Sequence, residues 1–484
     1  MAGTGCISVR SVTGGVSLAS PLEELFLKAR QTSKSRSVHA CSSSYMCRLS
    51  PVTKPQLVFD SHQNYLNGKG GQHYYCLKTL EELQETTRVA LRKSDHPTAI
   101  MKLIDDIQRL GVGHHFEEEI NMQLERVSDW KCGETEDLFV NARRFRLLRH
   151  NGWQPCTDTF NKFLKKDGNW KESISKDTWG MLSLNEASYL ATKDEQMLLQ
   201  AMEFTRTHLT QSMPFMAPEY RRRISQALEL PRHLRMSRLE ARKYIDEYSR
   251  EWNHNLALLE LAKLDFNMVQ SLHQRELAEI QRWWKELDLV GKLGFGRDRP
   301  LECFLWTVGI FPEPHYSNCR IELTKTIAIL LVVDDIFDTY GSLSDLVLFT
   351  NAIQRFDFRY LPISSGFCKL RVPEEEERGD VASSMACYMR ENTISCEEEA
   401  RKHVRQLIRS LWVDLNSHLT AQAPAALPLS IINASLNLAR TSQLVYQNGD
   451  DLTNTTYSVK EHTRMLFSDP ISLEFLSSPK LAVL

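Results

Sequence analysis

The sequence predicts an all-α protein, on three observations. Apolar residues recur three and four apart with charged residues between them, as in Leu77, Leu80 and Leu83 and again in Leu103, Ile104, Ile107 and Leu110. That spacing is the stripe an amphipathic helix turns toward a core. From Leu258 the stretch LLELAKLDFNMVQSLHQRELAEIQRWWKEL reads as one long helix. Finally, TIAILLVVDDIFDTYG, Thr326 to Gly341, reads as an apolar helix that ends in carboxylates and stops at a glycine, although so short and β-branched a run leaves a strand open. No repeat of fixed period is visible, which argues against a solenoid.

Length and composition narrow the function. A chain of 484 residues has room for about two or three domains, each with its own core. Lys and Arg number 59 against 61 Asp and Glu, a net charge of −2, so no general affinity for nucleic acid or a membrane surface follows. The longest apolar run, Ile327 to Val333, is far short of the about 20 residues a membrane span needs, and a soluble protein is expected. Eleven cysteines scattered from Cys6 to Cys396 without a C-x-x-C pair frame neither a disulfide scaffold nor a zinc ribbon and suit a reducing compartment.

In chain order, residues 1–55 are rich in Ser with scattered Arg and Lys, and hold only Glu23 and Glu24 as acids. This is the composition of an organelle transit segment or of a disordered tail; plastid import is the expectation, the cytosol the alternative. Helices begin near Tyr75. Gly111 and Gly113 break the pattern before His114-His115-Phe116-Glu117-Glu118-Glu119. Adjacent histidines on a helix do not face the same way, so a capped helix start with a solvated acidic face is expected there rather than a metal site. Arg143 to Arg149 forms a basic amphipathic stretch with a solvated face. Ser183 and Glu186 are spaced as a capping box at another helix start, and Arg221-Arg222-Arg223 reads as surface. Trp283 and Trp284 read as packing residues.

The chemistry concentrates in two places. On a helix, Asp334 and Asp338 lie one turn apart and Asp335 about 100° round from Asp334. Acids at a helix C-terminus oppose its dipole, and no Lys or Arg lies between Lys325 and Arg355. Such carboxylates need a cation, and one or two carboxylates completed by substrate phosphates and waters are what Mg²⁺ accepts. Upstream lies Gly294-Phe295-Gly296-Arg297-Asp298-Arg299-Pro300. Pro300 biases Arg299 toward an extended conformation, which would project Arg297 and Arg299 to one side as a two-guanidinium clamp for a diphosphate.

Together RDRPLECFLWTVGIFPEP, IAILLVVDDIFDTYGSLSDL, HHFEEEI, FRLLRHNGW and GMLSLNEASYL resemble the plant class I terpene synthases, from about Leu77 to the end of the chain. The resemblance implies two helical domains: a non-catalytic α-barrel over 56–257 and a catalytic bundle over 258–484. It implies Mg²⁺, or Mn²⁺ in its place, held by Asp334, Asp335 and Asp338 of a D-D-x-x-D motif. The substrate is then a prenyl diphosphate, whose ionisation leaves an allylic carbocation while Arg297 and Arg299 hold the released diphosphate. Trp306 resembles the family's pocket-floor tryptophan, with Phe304 a second aromatic candidate; Tyr446 and Asp450 resemble the Tyr and Asp that close the site. The tandem-Arg motif with a downstream Trp, carried near the N-terminus by members that cyclise monoterpenes, is missing: the first Arg pair is Arg143-Arg144 and the first Trp is Trp130. This resembles the subgroup making acyclic alcohols such as linalool or nerolidol from geranyl or farnesyl diphosphate.

One departure is serious. The family's second metal motif sets Asn or Asp, Ser or Thr, and Glu at four-residue steps, and here Glu375 takes the Glu position while Arg371 and Phe367 stand where ligands belong. Glu375 follows Asp334 by only 41 positions, interrupted by Pro362, Gly366 and Pro373. The chain thus resembles a synthase lacking central helices of its catalytic domain, whose remaining helices would expose apolar faces. The alternative function is an inactive isoform retaining partial Mg²⁺ and diphosphate binding; a helical scaffold without ligand is a third.

Overall fold

The computed structural model describes residues 70–130, 137–294, 296–337, 384–420, 428–446 and 457–473, with a few positions between 344 and 350. These belong to one unit spanning 57–355 and 371–484. Asp338, Gly341, Glu375, Asp450 and the Ser-rich residues 1–55 lie outside them.

Among the described residues the elements are helical, with a single isolated bridge between Leu164 and Trp170, as the periodicity predicts. The first helices are α1 (Gly70–Lys93), α2 (Pro97–Arg109), α3 (Glu117–Asp129), α4 (Leu138–His150), α5 (Thr178–Ser188), α6 (Gln196–Ser212), α7 (Pro218–Glu229) and α8 (Ser237–Tyr248). After them come α9 (Leu256–Leu287), the short α10 (Leu289–Leu293), α11 (Pro300–Ile310) and α12 (Ser317–Asp335). The C-terminal part holds α13 (Ser384–Glu391), α14 (Glu397–Thr420), α15 (Leu429–Val445) and α16 (Tyr457–Phe467).

The long helix foreseen near Leu258 is α9. Asn255 caps it by accepting from the Leu258 N–H, and Asp288, in the left-handed region at φ 50°, ends it. At a rise of about 1.5 Å per residue it is long enough to serve the whole molecule. One buried cluster contains Ile104 of α2, Leu124 of α3, Leu261 and Ile280 of α9, Phe304 and Val308 of α11 and Leu466 of α16. Burying this apolar surface is the main favourable term in folding.

Several local expectations change. Asp177, not Ser183, caps α5, by accepting from the Gly180 N–H; Ser183 lies mid-helix and donates to the Phe139 carbonyl, and Glu186 faces Arg146. The basic stretch of α4 is not a solvated face: Arg146 and Arg149 are buried, bonded to Asp105 and Glu195. Glu119 is buried too and accepts from Arg88 and Arg92, while Glu117 and Glu118 stay exposed. In each case a partner distant in sequence offsets the cost of burying charge. Around the acidic cluster the helix wins over the strand. Apolar residues lie exposed on several helices: Leu330 on α12, Leu407 and Leu411 on α14, Ile431 and Leu438 on α15.

Candidate active site

Three anchors fix α12. Arg320, fully buried in its first turns, donates to both carboxylate oxygens of Glu276 on α9 at 2.9 and 2.6 Å, and to the carbonyls of Phe311, Glu313 and Pro314. One turn on, the Thr324 hydroxyl meets that of Thr307 on α11 at 2.8 Å. Further along, Ala328 and Val332 pack into a cluster with Trp284 and Cys303. Asp334 and Asp335 are therefore carried at the end of a rigidly seated helix, where the chain opens into a wider turn at Ile336 and Phe337.

The loop before α11 lies across that end. Trp284 Nε1 donates to Asp298 Oδ1 at 2.9 Å, and Gly296 lies beside Val332, where a Cβ would make an ordinary contact with its methyl at 3.8 Å. Arg297 is thereby brought onto the acids: its Nη2 is 3.0 Å from Asp334 Oδ2, its Nε 2.8 Å from Asp335 Oδ1, and its backbone N–H donates to Asp335 Oδ2 at 3.2 Å. Burial works against the guanidinium's charge, but the hydrogen bond and charge of Asp335, then those of Asp334, outweigh it and raise the Arg297 pKa. The cation these acids need is thus present, supplied from 37 positions upstream. A search for bases between Lys325 and Arg355 misses it.

Arg299 does not join Arg297. Its backbone, at φ −126° and ψ 32°, is not extended, because it forms the entry to α11, and its guanidinium turns to Glu302 at 3.5 Å. Among the described residues, the extended backbone that a parallel R-x-R clamp needs is therefore not found at Arg299. Trp306 of α11 is almost fully buried and packs with Val445, Ile327 and Leu331. Tyr446, at the end of α15, meets its ring edge-to-face at 6.0 Å. The indole N–H of Trp306 is buried with no hydrogen-bond partner among the described residues. Phe304 lies instead in the core, between His273 and Phe467. The residues brought together are Arg297, Asp334 and Asp335, and separately Trp306 with Tyr446; Glu302 and Asp298, which hold the two arginines' loop, carried no signal in sequence beyond their place beside the R-x-R.

The adjacent histidines behave unexpectedly. They sit on a single 3-10 helical turn, Gly113–His115, and not on an α-helix. His115 Nε2 lies 2.8 Å and His114 Nε2 3.5 Å from the same oxygen of buried Asp265 on α9. Burial would raise the Asp265 pKa, but the two histidines hold it well below the usual carboxylate range. Arg238 stands 3.9 Å from its other oxygen. With a fixed cation there, the cluster is already neutralised and reads as a structural tie between the turn before α3 and α9.

Asp334 and Asp335 are two neighbouring oxygen donors of the kind a hard divalent cation takes, and Arg297, which occupies those oxygens here, is the group such a cation displaces. Two family models match the chain: "Terpene synthase, N-terminal domain" over residues 55–228 and "Terpene synthase family, metal binding domain" over 285–366 and 371–414. The "Probable terpene synthase 11" of Ricinus communis is 50% identical over 505 aligned positions, covering 81% of this chain and 87% of that one. The chloroplastic R-linalool synthase of Ocimum basilicum is 39% identical over 504 positions, covering 80% and 86%. Isoprene synthase from grey poplar leaves, solved with three Mg²⁺ ions and dimethylallyl-S-thiolodiphosphate, superposes with a TM-score of 0.73 at 29% identity, covering 82% and 98%. On these matches the chain belongs to the terpene synthase family.

Proposed function

We propose that this protein uses Mg²⁺ to ionise geranyl or farnesyl diphosphate and lets water capture the cation, giving an acyclic alcohol such as linalool or nerolidol. The observation that carries the reading is the Arg297–Asp334–Asp335 cluster at the end of α12. Departure of diphosphate puts negative charge on the leaving group, and fixed positive charge aimed there stabilises the transition state more than the ground state. Mg²⁺, when bound by Asp334, Asp335 and Asp338, supplies that charge. Arg297, which bonds both acids here, would be available to bond the departing diphosphate where a metal takes their oxygens, and Arg299 would join it on a turn of the loop. Trp306, Tyr446, Ile327 and Leu331 offer the apolar, aromatic wall that keeps stray water from the cation. Asp450 and Glu375 complete the proposed set of site residues. Kinship with a chloroplastic R-linalool synthase supports the acyclic alcohol and plastid import through residues 1–55.

A second reading has its own observation. The match to the metal-binding model breaks between 366 and 371, and the alignment to the Ricinus communis relative runs to 505 positions although this chain has only 484 residues. That relative therefore has residues with no counterpart here, which favours an inactive isoform that binds Mg²⁺ and diphosphate without turnover. Incubating the full-length protein with each diphosphate and Mg²⁺ and analysing volatiles separates the two. Linalool or nerolidol above the level of an Asp334→Asn, Asp335→Asn control supports synthesis. No product, with Mg²⁺ binding intact, supports the inactive isoform.

A further inference from the structure

Away from the acidic cluster, a cavity of about 80 Å³ lies among α2, α4, α8, α15 and the turn at Arg232. Five arginines line it, Arg109, Arg146, Arg232, Arg235 and Arg440, with Ser237 at its edge. The carboxylates that meet them are fewer. Asp105 is shared by Arg146 and Arg232; Glu240, which itself lines the cavity, is shared by Arg109 and Arg235; Glu186 lies 3.4 Å from Arg146 and Glu247 3.9 Å from Arg109. Arg440 is buried, and among the described residues its bonds go to neutral groups alone: the His233 carbonyl and ring and the Asn437 side chain. Burial without a countercharge pushes its pKa down to about 10. Arg146 Nε, buried and without a hydrogen bond among the described residues, has only the ion pair with Glu186 at 3.4 Å. At the edge, α8 begins with no side-chain cap, so its first N–H groups and dipole add to the positive field.

We propose that this cavity is a binding site for a small inorganic oxyanion of the phosphate class, separate from the Arg297 site and unconnected with the reaction assigned above. An uncompensated buried cation is costly. A tetrahedral dianion would supply the missing charge, and its oxygens match paired guanidinium donors. The space holds several water-sized groups, enough for a phosphate but not for a prenyl chain. It excludes macromolecular ligands on size alone.

The test uses the full-length protein without Mg²⁺ or prenyl substrate. Inorganic phosphate, and in a second arm diphosphate, is titrated by calorimetry against sodium chloride at matched ionic strength. Saturable 1:1 binding is expected, weakened by about tenfold or more in Ser237→Glu, which sets a carboxylate at the mouth. Ser237 is exposed and opens a helix, so that variant should keep its melting temperature in chloride; in the inorganic phosphate arm Arg297→Ala should bind as wild type does. Heats indistinguishable from chloride in both arms, binding unaffected by Ser237→Glu, or inorganic phosphate binding lost instead in Arg297→Ala would each overturn the proposal.

Discussion

Arg297 meets Asp335 twice, its Nε 2.8 Å from one carboxylate oxygen and its backbone N–H 3.2 Å from the other, while its Nη2 reaches Asp334. A guanidinium so placed competes with any metal for the same oxygens, because two cations cannot share them without repulsion. Removing it by Arg297→Ala is therefore expected to tighten Mg²⁺ binding several-fold in the absence of diphosphate, and to weaken retention of diphosphate in its presence. Asp334→Ala and Asp335→Ala should each weaken Mg²⁺ by about tenfold. Calorimetric titration checks all three; weaker Mg²⁺ binding in Arg297→Ala would mean that the arginine supports the metal site and does not compete for it.

The helices and the long spine α9 were legible because spacing of apolar residues and caps such as Asn255 are local signals. The acids of α12 were legible for the same reason, as a run that breaks from apolar to charged. Their partner was not, since Arg297 reaches them only through the packing of Gly296 on Val332 and the Trp284–Asp298 bond, which are contacts that no spacing rule contains. The same holds for Arg146, Arg149 and Glu119, read as solvated yet buried. A charged residue's burial depends on a partner elsewhere in the chain, Asp105, Glu195 or Arg88 here, and not on its own neighbours.

The seat of α12 depends on the pair Arg320–Glu276. Both side chains are buried, and Arg320 also satisfies three carbonyls in the turn before the helix. Glu276→Ala would leave the guanidinium uncompensated and should destabilise the protein by about 3–5 kcal/mol, the cost of breaking a buried pair from one side. Replacing both residues by Leu and Met should cost less than the two single changes together. Urea unfolding of the four proteins measures the coupling, and strictly additive losses would contradict it.

Helices α11 and α15 approach at Gly309. A Cβ there would lie 2.1 Å from the Thr441 hydroxyl oxygen and 3.0 Å from its Cβ. Threonine is stiff and this hydroxyl already donates to the Asn437 carbonyl, so it cannot rotate away freely. Gly309→Ala should cost about 1–3 kcal/mol by overpacking, despite alanine's better helix propensity. Pairing it with Thr441→Ala should recover part of the loss, read as a rise in melting temperature over the single variant. Gly309→Ala melting at or above wild type would show that the helices separate without strain.

His462 on α16 gives the fold a measurable response to acid. Burial first, then the charge of Lys243, holds its pKa down to about 4, and its Nδ1 is buried without a partner among the described residues. An unfolded histidine titrates near 6.5. Above that pH both states are neutral and the group is silent. As pH falls from about 6.5 to about 4 the unfolded chain takes up a proton that the folded one refuses, so stability must drop across that window, by up to about 3 kcal/mol at its lower end. His233 and His273, also held well below their ordinary value by burial, act in the same direction. Asp265 and Glu240 have lowered carboxylate pKa values, and their stabilisation is lost only in more acid solution. His462→Gln isolates the one residue: the difference in unfolding free energy between wild type and variant should be flat above pH 6.5 and turn in favour of the variant below it. A difference that stays constant from neutral pH to pH 4 would show that the imidazole is protonated in the folded protein after all.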